Sequence, residues 1–101
     1  MYAAKAEVKS EKAATYLVQL CKHFAHKIPT DYDEARGCVD FQPGLCVMHT
    51  SGNMLILECQ ADSEPALQRV TQVIADHLVR FAWKENLAIS WTKAAVIPSD
   101  C

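Results

Sequence analysis

Apolar and charged residues alternate from Ala4 to Val8, the two-residue period of a half-buried strand. Ser10 then reads as an N-cap, with Glu11 in the first turn of the helix that follows. From Ala13 to Ile28 the apolar positions are Ala13, Leu17, Leu20, Cys21, Phe24 and Ile28, one side of a helix with 3.6 residues per turn. Pro29 stops it, because proline disfavours helical geometry at the residue before it. Short strands separated by turn residues come next: Thr30–Tyr32, Cys38–Phe41, Leu45–Thr50 and Met54–Ala61. The breaks between them fall at Asp33–Gly37, at Gln42-Pro43-Gly44 and at the hairpin turn Ser51-Gly52-Asn53. Asp62 or Ser63 caps a second helix with the stripe Leu67, Val70, Ile74, His77, Leu78 and Phe81. A last strand, Leu87–Thr92, alternates Leu87, Ile89 and Trp91 with smaller residues, and the tail from Ala94 is expected to fray.

The predicted order is β-α-β-β-β-β-α-β. Short strands joined by tight turns make an antiparallel sheet, and two one-sided helices must bury their stripes. The expected fold is therefore α+β, a two-layer sandwich with both helices across one face of a sheet of five or six strands. By analogy the arrangement is TBP-like or helix-grip. The chain reads as a single domain over residues 1–101, with its core from about 4 to 94.

Two helices leave the other sheet face to be explained. Pairing across Gly52-Asn53 puts Met48 opposite Leu57 and Cys46 opposite Cys59, on the helix side. Leu45, Val47, Met54 and Ile56 then point outward, with His49 and Glu58 among them. An outward apolar set implies a partner surface, most simply a homodimer through this face. A slip in register, or cover from the C-terminal tail, would hide the same residues.

Composition narrows the function classes. The 101 residues carry a formal charge of -2 and no run of Lys and Arg, so nucleic acid and membrane surfaces are not expected partners. The first ten residues are not a signal peptide, and no apolar run is long enough to span a bilayer, so a cytoplasmic location is expected. The cysteines Cys21, Cys38, Cys46, Cys59 and Cys101 are odd in number and have no CxxC spacing, which predicts reduced thiols.

Candidate chemistry gathers on imidazoles. In Cys21-Lys22-His23-Phe24-Ala25-His26-Lys27, helical rotation sends Cys21 to the core stripe and His23 and His26 to the polar face. His23 and His26, spaced i, i+3, are candidates to chelate a metal, although no third ligand lies nearby. A buried Cys21 would hold its proton and be a poor nucleophile. His77 lies beside the apolar stripe of the second helix. It reads either as a core histidine bonded to a strand carbonyl or as a polar handle at a pocket rim, with Arg80 near for an anionic group. Phe81, Trp83 and Trp91 read as packing residues. Nucleophile elbow, P-loop, GxGxxG and HExxH signatures do not occur, and no cofactor is required.

The strings LCKHFAHKIP (Leu20–Pro29), Asp33-Glu34-Ala35-Arg36-Gly37, Gly44-Leu45-Cys46 and HLVRFAWKENLAISWTKA (His77–Ala94) together resemble the bacterial family called domain of unknown function 2218. The positions matching its signature are Cys21, His23, His26, Lys27, His77, Arg80 and Phe81. The resemblance implies no assigned activity. It does imply an association with siderophore-interacting, flavin-binding reductases, hence a partner reductase and a role near iron-siderophore utilisation. The expected function is a non-catalytic binding or accessory module with ligand-binding residues His77, Arg80, His23, His26 and Lys27. The alternative is a metal-binding protein or metal-dependent enzyme using the histidines of the first helix.

Overall fold

The computed structural model describes residues 2–42, 44–85 and 87–93. Its elements are β1 (Tyr2–Lys9), α1 (Ala13–Phe24), β2 (Thr30–Tyr32), β3 (Arg36–Asp40), β4 (Gly44–Ser51), β5 (Met54–Ala61), α2 (Glu64–Phe81) and β6 (Thr92–Lys93). The strands form one open antiparallel sheet in the order β2-β3-β4-β5-β1-β6. Helix α1 lies over β2, β3 and β4, and α2 over β5, β1 and β4, so both helices cover the same face. The fold is α+β and has the predicted element order.

The β4–β5 hairpin fixes the register of the sheet. Gly52 takes φ +58 while Asn53 keeps a negative φ, as in a type II′ turn, which suits the twist of the flanking strands. Ser51 pairs with Met54, and counting back along the ladder sets Met48 against Leu57 and Cys46 against Cys59, as expected. Hydrogen-bonded pairs alternate with non-bonded ones, so Cys46 and Cys59, five pairs from the turn, occupy a non-hydrogen-bonded position where side chains come closest. Ala6, Val8, Cys46, Met48, Leu55, Leu57 and Cys59 on the sheet meet Leu17, Leu20, Cys21 and Phe24 of α1 and Val70, Ile74 and Leu78 of α2.

Helix α2 starts as its sequence predicts: the Ser63 hydroxyl accepts from the Ala66 amide at 3.2 Å, and Pro65 stands in the first turn. Helix α1 departs from expectation at both ends. The Ser10 hydroxyl accepts from the Lys12 amide at 3.0 Å, but Lys12, without a side-chain cap, is the residue before the helix. Ser10 is instead nearly buried, donating to Glu85 at 2.9 Å, and Tyr16 donates to the same carboxylate. At the other end the helix stops at Phe24 rather than Ile28. The amides of Lys27 and Ile28 both return to the Phe24 carbonyl, at 3.1 and 2.8 Å, a last tight turn that delivers the chain to Pro29.

Three further expectations change. Leu87, Ile89 and Trp91 alternate and pack against the core, yet among the described residues only Thr92 and Lys93 pair with β1, so the predicted strand Leu87–Thr92 is not formed along its length. Trp83 is 72% exposed, with the Lys84 Nζ 5.3 Å from its ring, and is not a packing residue. Cys21, Cys46 and Cys59 are free thiols, but Cys38 is disulfide-bonded, against the expectation of a fully reduced set. Tail residues 94–101 lie outside the described residues, and with them the notion that the tail covers the sheet. Among the described residues no helix is long and apolar enough to cross a membrane.

Candidate functional site

Three α2 residues spaced four apart, Val73, His77 and Phe81, form one row along the helix flank. The final turn of α1 presents His23 and Phe24 to that row, because the helix ends there and turns away toward Pro29. The His23 ring lies 4.9 Å from the His77 ring at 45°, and edge-on to Phe81 at 5.8 Å. Phe24, buried beneath, meets His77 at 5.0 Å, and Phe41 closes the row against Phe24 at 5.3 Å, edge to face. The result is a chain of five rings, Phe41, Phe24, His77, His23 and Phe81, in which Phe24 is buried and His23 is exposed.

Beside these rings a groove of about 370 Å³ is lined by His23, Phe24, His26, Lys27, Ile28, Val73 and His77. Its floor is Phe24, Ile28 and Val73, and its polar groups are three imidazoles and one ammonium. The Nδ1 of His77 lies 2.7 Å from the Val73 carbonyl. A carbonyl only accepts, so Nδ1 carries the proton, leaving Nε2 as a lone pair in the neutral ring. The expected partner was a strand carbonyl; the helix's own carbonyl four residues back serves instead.

The structure thus brings His23, His26, Lys27 and His77 to one groove. It leaves out Arg80, which is exposed and not part of the lining, so Lys27 is the cation that an anionic ligand would meet. His26 sits past the end of α1, and its i, i+3 spacing from His23 is not that of two residues on one helix. Among the described residues no group of three His, Cys, Asp or Glu side chains is placed to hold a metal. The spacing of Val73, His77 and Phe81 was a legible signal for the α2 side. Phe41 had none, since its position depends on where the chain turns after β3.

Two other features offer less. A depression of about 150 Å³ over Asp31, Tyr32, Asp33, Arg36, Gly37 and Cys38 is smaller than typical ligand sites. The Oδ1 of its Asp33 already accepts from the Ala35 and Arg36 amides at 2.8 and 2.9 Å. Two core thiols, Cys21 and Cys46, are held protonated: burial, and to a lesser degree nearby Cys46, pushes Cys21 up to about 12. Cys46 is raised by its hydrogen bond to Cys59 and then by burial.

The helix-free sheet face differs from its expected character. Leu45, Met54 and Ile56 do point outward and are half-buried. Val47 is only 4% exposed and its cross-strand neighbour Cys38 only 7%, so neither can offer much area to a partner. A polar belt interrupts the remaining three: Lys5 and Glu7 approach at 3.9 Å, and His49 and Glu58 at 3.7 Å. This face is mixed rather than continuously apolar.

Comparison with solved structures gives a match to the NMR structure of PA4090 from Pseudomonas aeruginosa, 33% identical, with a TM-score of 0.79. The match covers 91% of this chain and 96% of that one. No curated protein matches. Residues 5–92 match the family described as "Uncharacterized protein conserved in bacteria (DUF2218)", and the chain belongs to that family.

Proposed function

We propose that the protein is a non-catalytic binding module whose ligand, a small, flat, mostly apolar acid, occupies the groove between the ends of α1 and α2. The observation that carries this reading is the open ring pair His23–His77 standing over an apolar floor, with Lys27 at the rim. Ligand sites are typically clefts of roughly 300–1,000 Å³, apolar-walled with a few convergent polar groups; about 370 Å³ suits one or two fused rings. Planar ligands stack on exposed rings, and an ammonium beside them favours a carboxylate.

Titration of ¹⁵N-labelled protein with 1-naphthoate tests the reading. Amide shifts should concentrate at Phe24, Lys27, Ile28, Val73 and His77. Lys27→Glu should weaken 1-naphthoate about tenfold and leave neutral 1-naphthamide nearly unchanged. Shifts scattered over the surface, or centred on the sheet, would end the proposal. A link to iron-siderophore utilisation, implied by the family resemblance, would make 2,3-dihydroxybenzoate the tighter ligand in the same titration.

A further inference from the structure

The Nε2 lone pair of His77 is left unused when the groove holds only an apolar acid. A histidine whose Nδ1–H is fixed by a carbonyl and whose Nε2 is bare has the arrangement seen in metal-ligating histidines, where the outer hydrogen bond sets the tautomer and raises ligand basicity. A second imidazole, His23, is already beside it. With metal–nitrogen bonds of about 2 Å and a roughly tetrahedral angle, two imidazoles on one ion have ring centres about 5 Å apart. The observed separation is 4.9 Å, and the rings are tilted at 45° rather than stacked flat. His23 is exposed at the last turn of α1, where its ring has room to adjust.

From this geometry we infer that His23 and His77 form a two-imidazole site for a borderline divalent cation, Zn²⁺ or Cu²⁺. No third protein ligand is grouped with them among the described residues. The remaining coordination positions therefore fall to water or to the carboxylate of the groove's occupant, as in open metal sites. The inference rests on the groove as the binding site proposed above and adds how its acid would be held. It also replaces the His23–His26 pairing that sequence spacing suggested, because His26 stands past the helix end while His77 faces His23 directly.

The test uses tag-free protein with ¹³C,¹⁵N-labelled histidine, titrated with zinc chloride and, as a hard-cation control, magnesium chloride. Zinc should shift the imidazole signals of His23 and His77 with one-to-one stoichiometry, and magnesium should not. His23→Ala and His77→Gln should each weaken zinc at least about tenfold, while His26→Ala stays within about twofold. His23 is exposed, so its variant keeps the fold even if His77→Gln does not. No shift at either ring in millimolar zinc, or equal losses in His23→Ala and His26→Ala, overturns the inference. Should 1-naphthoate still perturb Lys27 and Ile28 in that case, the groove remains a ligand site and only the metal is refuted.

Discussion

At Gly37 of β3 the sheet has no side chain between it and Cys21 of α1, and replacing it by alanine tests the packing that places the groove. A Cβ at position 37 would fall inside contact distance of the Cys21 Sγ and lie 3.3 Å from the Tyr32 Cβ and 3.4 Å from the Met48 Cγ. The sulfur has nowhere to retreat, since Cys21 is fully buried with the Met48 Sδ 3.7 Å away. Overpacking of this kind costs about 1–3 kcal/mol. Alanine recovers about 0.5–1 kcal/mol over glycine within a strand, so the net loss runs from about zero to about 2.5 kcal/mol. In a domain of this size that is a fall of up to roughly 20 °C in Tm. Removing the obstructing sulfur should relieve it. Cys21→Ala alone costs about 1 kcal/mol of lost contacts, and the double variant should be more stable than the two single losses predict by about 1 kcal/mol. Urea unfolding followed by tryptophan fluorescence and circular dichroism measures all four corners of the cycle. Additive losses around the cycle would refute the claim that the approach of α1 is limited by that glycine.

Two further outcomes follow from named contacts. Glu85→Ala leaves the hydroxyls of Ser10 and Tyr16, both about 5% exposed, without the carboxylate that accepts from them; the loss should be about 1–3 kcal/mol in the same urea assay, and an unchanged midpoint rejects the role. Stability should also fall at alkaline pH. Below the ordinary thiol value of 9.0 folded and unfolded chains both keep the Cys21 proton, but between 9.0 and about 12 only the folded chain does, so rising pH favours unfolding through that window. Cys21→Ala should make the alkaline decline shallower, and an identical decline contradicts the thiol's part in it.

The elements were legible where local chemistry decides them. β5 and β2 have their predicted limits, and the hairpin register follows from Gly52 and from the alternation that sends Cys46, Met48, Leu57 and Cys59 to the core. Of the two caps expected for α2, Asp62 or Ser63, Ser63 is the one used. What sequence could not supply were relations between distant residues. The Ser10–Glu85 contact joins positions 75 apart and takes the cap serine away from its expected work. His23 and His77 read as members of two separate helices, and only the crossing of those helices makes them neighbours. The apolar stripe extends α1 a turn beyond its true end because Ile28 fits it; that side chain does pack on the core, but from a turn rather than a helix. Val47 points as alternation requires, but direction alone does not reveal burial.

The border of the sheet at β2 has a consequence for life in a crowded solution. The four inner strands run five to eight residues, whereas this rim is a three-residue strand bearing Asp31. A stub this short, carrying a charge, gives a passing chain little backbone to zip onto. Copies of this protein are thereby discouraged from joining across that edge into fibrils.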